Sequence, residues 1–390
     1  MTAAGHDPSR RDALQALLAA ALATALPGPA RAAGCTPWPE WQAFAARHIE
    51  PNGRVVDFLH EDRRSTSEGQ SYALFFALVD NDPVMFERVL GWTRRNLSGG
   101  RPDLRLPAWL WGRAGDGSWR VLDPNSAADG ELWIAYALAE AGRLWNRPGF
   151  VHAARQILAL MRSAEVAELP GFGPMLLPGN QGFVRGDRWI LNPCYLPLFV
   201  FRRFAALDPK GPWARIAERS VELQRLASPV GFAPDWIAWN GRAFVVDPEK
   251  GPLGSYDAIR TYLWAGMTAA ADPLRRHLLQ ALSGPLGMLR AQGAQGALAE
   301  KIDTRNGVGT GTAPPGFAAA LLPYLGAQGA GALVRAQAAL IPAAGPAADA
   351  LTYYDCCLVL FGKGWRDGRY RIAADGRLQP SWSPQCSARR

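Results

Sequence analysis

Beyond residue 35 the apolar positions recur with a period near 3.6, and runs of strict alternation that would make half-buried strands are almost absent. The helical segments are of two kinds. Segments 38–48, 84–97, 149–165, 213–227, 273–290 and 331–341 carry one apolar stripe and a charged face. Segments 69–80, 130–144, 193–206, 257–269, 315–325 and 352–362 are apolar or aromatic nearly all round. The two kinds alternate strictly. The apolar ones begin near Glu68, Asp129, Asn192, Asp257, Pro315 and Tyr353, roughly sixty residues apart until a shorter last step. A helix that is apolar on every side belongs inside, and one with a charged face belongs outside. Six such pairs predict an all-α fold: an (α/α)6 barrel, a double ring of six inner and six outer helices forming one domain over residues 33–380. The Gly/Ala-rich stretch 326–350 is the least regular part, and residues 381–390 read as a flexible tail.

Composition narrows this picture without changing it. Of 390 residues 48% are apolar and 19% charged, which is too apolar for a disordered chain. The 42 basic and 34 acidic residues leave a net charge of +8, but the arginines are scattered and form no block. That pattern is a solvated surface, so no nucleic-acid partner is expected. The start of the chain differs from the rest. Arg10 and Arg11 precede an apolar run from Ala13 to Leu26, and small residues follow around Ala30-Arg31-Ala32-Ala33. This is the tripartite pattern of an export signal over residues 1–32, by the general secretory or the twin-arginine route, and the apolar run is too short for stable membrane insertion. A periplasmic or secreted monomer is expected. Cysteines 35, 194, 356, 357 and 386 would then meet an oxidising compartment, but their spacing assigns no pairs. The histidines at 6, 48, 60, 152 and 277 are unclustered, so neither a metal nor another cofactor is expected.

The candidate chemistry lies at the starts of three apolar helices. Glu68, Asp129 and Asp257 each fall in or beside a first turn, where an acid also complements the helix dipole. For Glu68 the local reading is a capping box, Ser65 with Glu68 or Ser67 with Gln70. Alternate helices of a closed double ring run the same way, however, and bring the inner starts to one rim. Three converging carboxylates would repel one another, which points to a use beyond capping. The commonest such use is general acid and base catalysis on a sugar, because burial and a neighbouring carboxylate raise a carboxyl pKa toward the working pH. Aromatic residues crowd the same ends: Trp109, Trp111, Trp119, Trp189, Tyr195, Tyr256, Tyr353 and Tyr354. Pyranose rings stack on such faces, whereas Trp133, Trp213 and Trp264 sit within helical periods and read as core. Arg260, one turn after Asp257, either orients that carboxylate or pairs with it structurally.

At these motifs the chain resembles glycoside hydrolase family 8. The resemblance is carried by Thr66-Ser67-Glu68-Gly69-Gln70-Ser71-Tyr72, by Leu106-Pro107-Ala108-Trp109-Leu110-Trp111-Gly112, by Asn192-Pro193-Cys194-Tyr195-Leu196-Pro197 and by Ser255-Tyr256-Asp257-Ala258-Ile259-Arg260. The family signature falls on Ala127 to Trp145, and the likeness runs from Cys35 to Trp365. It implies an inverting hydrolase on an (α/α)6 barrel, with Glu68 as general acid, Asp257 as general base and Asp129 holding the sugar before the cleaved bond. It implies substrate contacts at Trp109, Trp189, Asn192, Tyr195, Tyr256, Arg260 and Tyr353. It also implies cellulose or β-1,4-glucan oligosaccharides as substrate, and a functional association with the cellulose synthase complex in cellulose synthesis and secretion. A base at position 257 favours β-1,4-glucan over xylan or chitosan. The signature differs here at Ala128, where the family has Ser or Thr, and at Glu131, where it has Asp. Two rivals remain at this point: a polysaccharide lyase on a similar helical toroid, and a catalytically weakened glucan-binding accessory protein.

Overall fold

A computed structural model describes Met1 and residues 37–293, 296–343 and 346–382. The segment read as an export signal and most of the tail lie outside the described residues, as do Cys35 and Cys386. The chain divides into two units, Met1–Thr36 and Pro37–Arg390, and every described helix and strand belongs to the second.

The inner helices are α2 (Ser67–Val79), α4 (Ala128–Leu144), α6 (Leu198–Leu207), α8 (Ala258–Met267), α11 (Pro315–Ala327) and α13 (Tyr353–Arg366). The outer ones are α1 (Pro39–His48), α3 (Pro83–Asn96), α5 (Pro148–Ala164), α7 (Trp213–Ala227), α9 (Arg275–Ala281) with α10 (Gly284–Gln292), and α12 (Gly331–Ala339). The all-round apolar pattern has the consequence expected of it. Every residue of α2 except Glu68 is buried, and α8 is buried throughout. Trp133 of α4 stands at the centre, with ring centroids 5.0 Å from Phe75 of α2, 5.0 Å from Trp264 of α8 and 5.2 Å from Phe361 of α13. Truncating such a ring costs about 3–5 kcal/mol. The ring closes where Phe361 meets Phe76 at 4.7 Å, and α1 covers α13 through a Lys363–Glu40 ion pair of 2.6 Å. This is the (α/α)6 barrel that the sequence pattern predicts.

Prolines correct two helix boundaries. The segment expected to be helical over 193–206 begins only at Leu198, because Pro197 has no N–H to offer the carbonyl of Pro193. Pro193–Tyr195 forms a 3-10 turn instead, and that carbonyl accepts from Gln224 Nε2 at 2.9 Å. The segment 273–290 is cut at Leu282–Ser283, since Pro285 likewise cannot bond Ala281. The near absence of strands is also corrected. Apart from a hairpin of Tyr370–Ile372 with Leu378–Pro380 after α13, short antiparallel sheets occupy the links that run from an outer helix to the next inner one, including Ser65–Thr66 with Leu110–Arg113 and Trp119–Asp123, and Arg188–Leu191 with Ile237–Trp239. With two to five residues each, these strands are too short for alternation to register. All these links lie at the rim where the inner helices start, so that rim is the elaborated one.

Candidate active site

Glu68 is the second residue of α2, Asp129 the second of α4, and Asp257 immediately precedes α8. The start of α2 is capped by neither pair expected from sequence. Thr66 Oγ1 accepts from Gly69 N at 3.0 Å, Ser65 Oγ donates to Val55 O at 2.6 Å, and Gln70 accepts from Val55 N at 2.6 Å. The Glu68 carboxyl is thereby left free of capping. Gly130 brings the next acid close. A Cβ there would stand 2.4 Å from Ser67 Oγ and 3.0 Å from Ser67 C, so only glycine lets the start of α4 lie against the start of α2.

The three carboxyls meet on Arg260, a side chain from α8 that is 3% exposed. Its Nη1 donates to Glu68, to Asp129 Oδ2 at 3.1 Å and to the Tyr72 hydroxyl at 3.1 Å, and its Nη2 donates to Asp257 Oδ1 at 2.6 Å. Both readings offered for this arginine are therefore too narrow, since it gathers all three acids and not Asp257 alone. Burial, and then the negative charge of Glu68, push the Asp129 carboxyl well above the ordinary aspartate range against the pull of Arg260, and Asp129 also hydrogen-bonds Glu68. A fourth acid stands behind Asp257. Asp235, 8% exposed, accepts from the amides of Ser255 at 2.8 Å and Ala258 at 2.7 Å and so fixes the turn that carries Asp257. Burial and the charge of Asp257 raise it to about 6.

The remaining predicted residues are distributed around this centre. The Trp109 carbonyl accepts from Ser67 N at 3.0 Å, one residue before Glu68, and its ring is half-buried. Tyr195 has its ring centroid 5.7 Å from the Arg260 guanidinium, and Asn192 below it is buried and accepts from Cys194 N at 3.1 Å. Trp189 lies in the adjoining sheet, opposite Trp239. Tyr256 is 44% exposed at the mouth and donates to Glu300 at 3.2 Å. Tyr353 packs inward against Phe44 and His48, its hydroxyl lying against Gly69. The neighbouring Tyr354 is the one whose ring faces Arg260, at 5.9 Å, and its hydroxyl donates to the Tyr256 carbonyl at 2.6 Å. Both tyrosines, with Asp57, His60, Arg64 and Glu68, line a cavity of about 190 Å3.

The sequence patterns assign no role to Tyr72, Asp235 or Trp236, and Tyr354 figures in them only as one of the rim aromatics. Trp236 stacks parallel to Phe183 and stands 6.5 Å from Tyr195 along the same wall. A signal existed in Ala233-Pro234-Asp235-Trp236, a lone acid between proline and tryptophan in an otherwise apolar stretch. The thiols of Cys194, Cys356 and Cys357 are free.

Residues 14–368 match the profile of Glycosyl hydrolases family 8. An endoglucanase of Xanthomonas axonopodis pv. citri (strain 306) is 62% identical over 384 residues, 97% of this chain and 99% of its own length. The endoglucanase of Escherichia coli (strain K12) is 40% identical over 359 residues, 91% and 94% of the two chains. Among solved structures, the endo-1,4-D-glucanase from Vibrio fischeri ES114 superposes with a TM-score of 0.82 at 38% identity, covering 89% of this chain and 99% of that one. The endo-β-1,4-glucanase from Acetobacter xylinum gives a TM-score of 0.67 at 27% identity, covering 84% and 97%. With its barrel, its rim of acids and this breadth of similarity, the chain belongs to family 8 of the glycosyl hydrolases.

Proposed function

We propose that this protein is an endo-β-1,4-glucanase that cuts internal bonds of cellulose with inversion at the anomeric carbon. The observation that carries the reading is the gathering of Glu68, Asp129 and Asp257, from three inner helix starts, around one buried guanidinium beneath an aromatic rim. The endoglucanase names of the relatives support the substrate.

In this mechanism Glu68 gives its proton to the glycosidic oxygen as the bond from C1 to that oxygen breaks. Water attacks C1 from the opposite face and passes its proton to Asp257. Asp129 holds the sugar on the non-reducing side of the cleaved bond. Its hydrogen bond to Glu68 provides a path by which a proton kept on the buried Asp129 reloads the general acid. Arg260 keeps the acids together until sugar hydroxyls enter among them. The tripartite N-terminal sequence supports export to the periplasm or beyond, where the enzyme acts on glucan during cellulose synthesis and secretion.

Carboxymethylcellulose hydrolysis by the native protein and by Glu68→Gln tests the reading. The native protein is expected to release reducing ends and the variant to fall by about 10²–10⁴-fold. Negligible and equal activity in both would favour glucan binding without hydrolysis. Proton NMR of cellopentaose cleavage should show the α-anomer first, and an initial β-product would remove the inverting mechanism. N-terminal sequencing of protein recovered from the periplasm or medium checks export.

A further inference from the structure

A helix start leaves its first backbone N–H groups without partners inside the helix, and an Asp in the N-cap position ordinarily accepts one of them with its own side chain. Asp257 breaks that pattern. It stands in the N-cap position of α8 but is already helical, at φ −78° and ψ −50°, and its carboxyl makes no cap hydrogen bond. Its Oδ1 accepts from Arg260 Nη2 at 2.6 Å instead.

The cap comes from outside the helix. Asp235 Oδ1 accepts from Ser255 N at 2.8 Å and from Ala258 N at 2.7 Å, so one oxygen ties the residue two before Asp257 to the residue just after it. Asp235 is itself held from both sides. Its own N–H donates to Leu253 O at 2.7 Å, and Ala233 N donates to the hydroxyl of Tyr262, a residue of α8, at 2.8 Å. Gly254 lets the two segments lie this close, since a Cβ there would stand 2.4 Å from Ala233 O. Ser255 Oγ adds a bond of 2.6 Å to Glu300 O. The turn that carries Asp257 is therefore fixed through its neighbours.

The arrangement separates two tasks that one aspartate performs poorly together. A carboxylate that accepts backbone N–H bonds is stabilised in its charged form, and is a weaker proton acceptor for it. We propose that Asp235 caps α8 in place of Asp257 and is thereby a positioning residue for the general base, holding its turn in register with Arg260 and leaving its carboxyl free to take the proton of the attacking water. The functional half rests on the glucanase reading, and the capping half does not. Burial, and then the charge of Asp257, raise Asp235 to about 6, but its Oδ1 accepts from the two amides whether or not the group carries a proton. An amide oxygen in its place should therefore serve as well.

Hydrogen exchange read by mass spectrometry on a peptide spanning residues 253–262 tests the capping half without any assay of activity. Exchange is expected to quicken by about fivefold or more in Asp235→Ala and to stay near the native rate in Asp235→Asn, which keeps the accepting oxygen. Equal rates in native protein and Asp235→Ala would overturn the cap. Cellopentaose kinetics at neutral pH, corrected for the folded fraction by circular dichroism, read the functional half. Asp235→Ala should lose about tenfold or more in kcat with KM nearly unchanged, because a base turned away from the water leaves the sugar contacts in place. Asp235→Asn should return to within about threefold of native. An acid that serves the fold alone would lower the folded fraction of Asp235→Ala and spare the kcat of what stays folded. That result, or a loss in Asp235→Asn as deep as in Asp235→Ala, would refute the positioning role. Should Asp235→Ala fail to fold, Asp235→Ser, whose hydroxyl stops short of the two amides, carries the same comparisons. The expected exchange difference in a native protein that does not cleave cellopentaose would sink the glucanase reading and leave the cap standing.

Discussion

Replacing Arg260 by Met removes the cation that joins Glu68, Asp129 and Asp257 while keeping most of the side-chain volume. Three carboxyls then face one another at a position where the arginine had been 3% exposed. Deleting one partner of a buried ion pair costs about 3–5 kcal/mol, because the remaining charge is left without compensation. Here that cost depends on pH. The folded-state pKa of Asp129 already lies above its unfolded value, so ionising it opposes folding, and without Arg260 this opposition grows. Below the unfolded aspartate range, at about pH 3, Asp129 is protonated in both states and the penalty shrinks to lost contacts, about 1 kcal/mol. It reappears as pH rises through neutrality. Chemical denaturation of native protein and Arg260→Met at pH 3 and pH 8, followed by circular dichroism, measures the difference. A loss of stability equal at the two pH values would show that Arg260 acts through packing and that the electrostatic account is wrong.

Three further outcomes follow from the same geometry. Gly130→Ala should cost about 1–3 kcal/mol and depress turnover, because its Cβ meets Ser67 at 2.4 Å and pushes Asp129 away from Glu68; denaturation and carboxymethylcellulose assays read the two effects. In native protein the elevated pKa of Asp235 contributes stability that is present below its unfolded value and lost as pH rises through about 6. Asp235→Asn should flatten that dependence, worth about 3 kcal/mol at most, in denaturation curves from pH 4 to 8. Tyr354→Phe breaks the 2.6 Å bond to the Tyr256 carbonyl at the mouth and should raise KM for cellopentaose more than it lowers kcat.

The barrel was legible because its signal is periodic and repeated. A helix such as α2, buried everywhere but at Glu68, has no alternative placement in a chain that also carries amphipathic partners of equal number. The convergence of the acids followed from that topology, since each sits at an inner helix start. What remained hidden depends on contacts between distant residues. Nothing local tells that Arg260 reaches Glu68, 192 residues away, as well as its neighbour Asp257. Tyr353 and Tyr354 are adjacent and chemically alike, and which of them turns toward Arg260 is set by how α13 rotates against α1 and α2. The short rim strands, and Asp235 among them, belong to links whose shape comes from the sheets they join.

The closure of α13 on α2 has a consequence for how the enzyme is made. Glu68, Asp129, Asp257 and Arg260 have all left the ribosome long before Phe361 arrives to meet Phe75 and Phe76. Until then the earlier helices expose a wide seam of aromatic surface with no mate, and contacts between the first and last hairpins are the slowest kind to form. Synthesis in the cell therefore yields either a finished hydrolase or a sticky incomplete one, and an export apparatus that handles unfolded chains would postpone that hazard until the whole polypeptide is across.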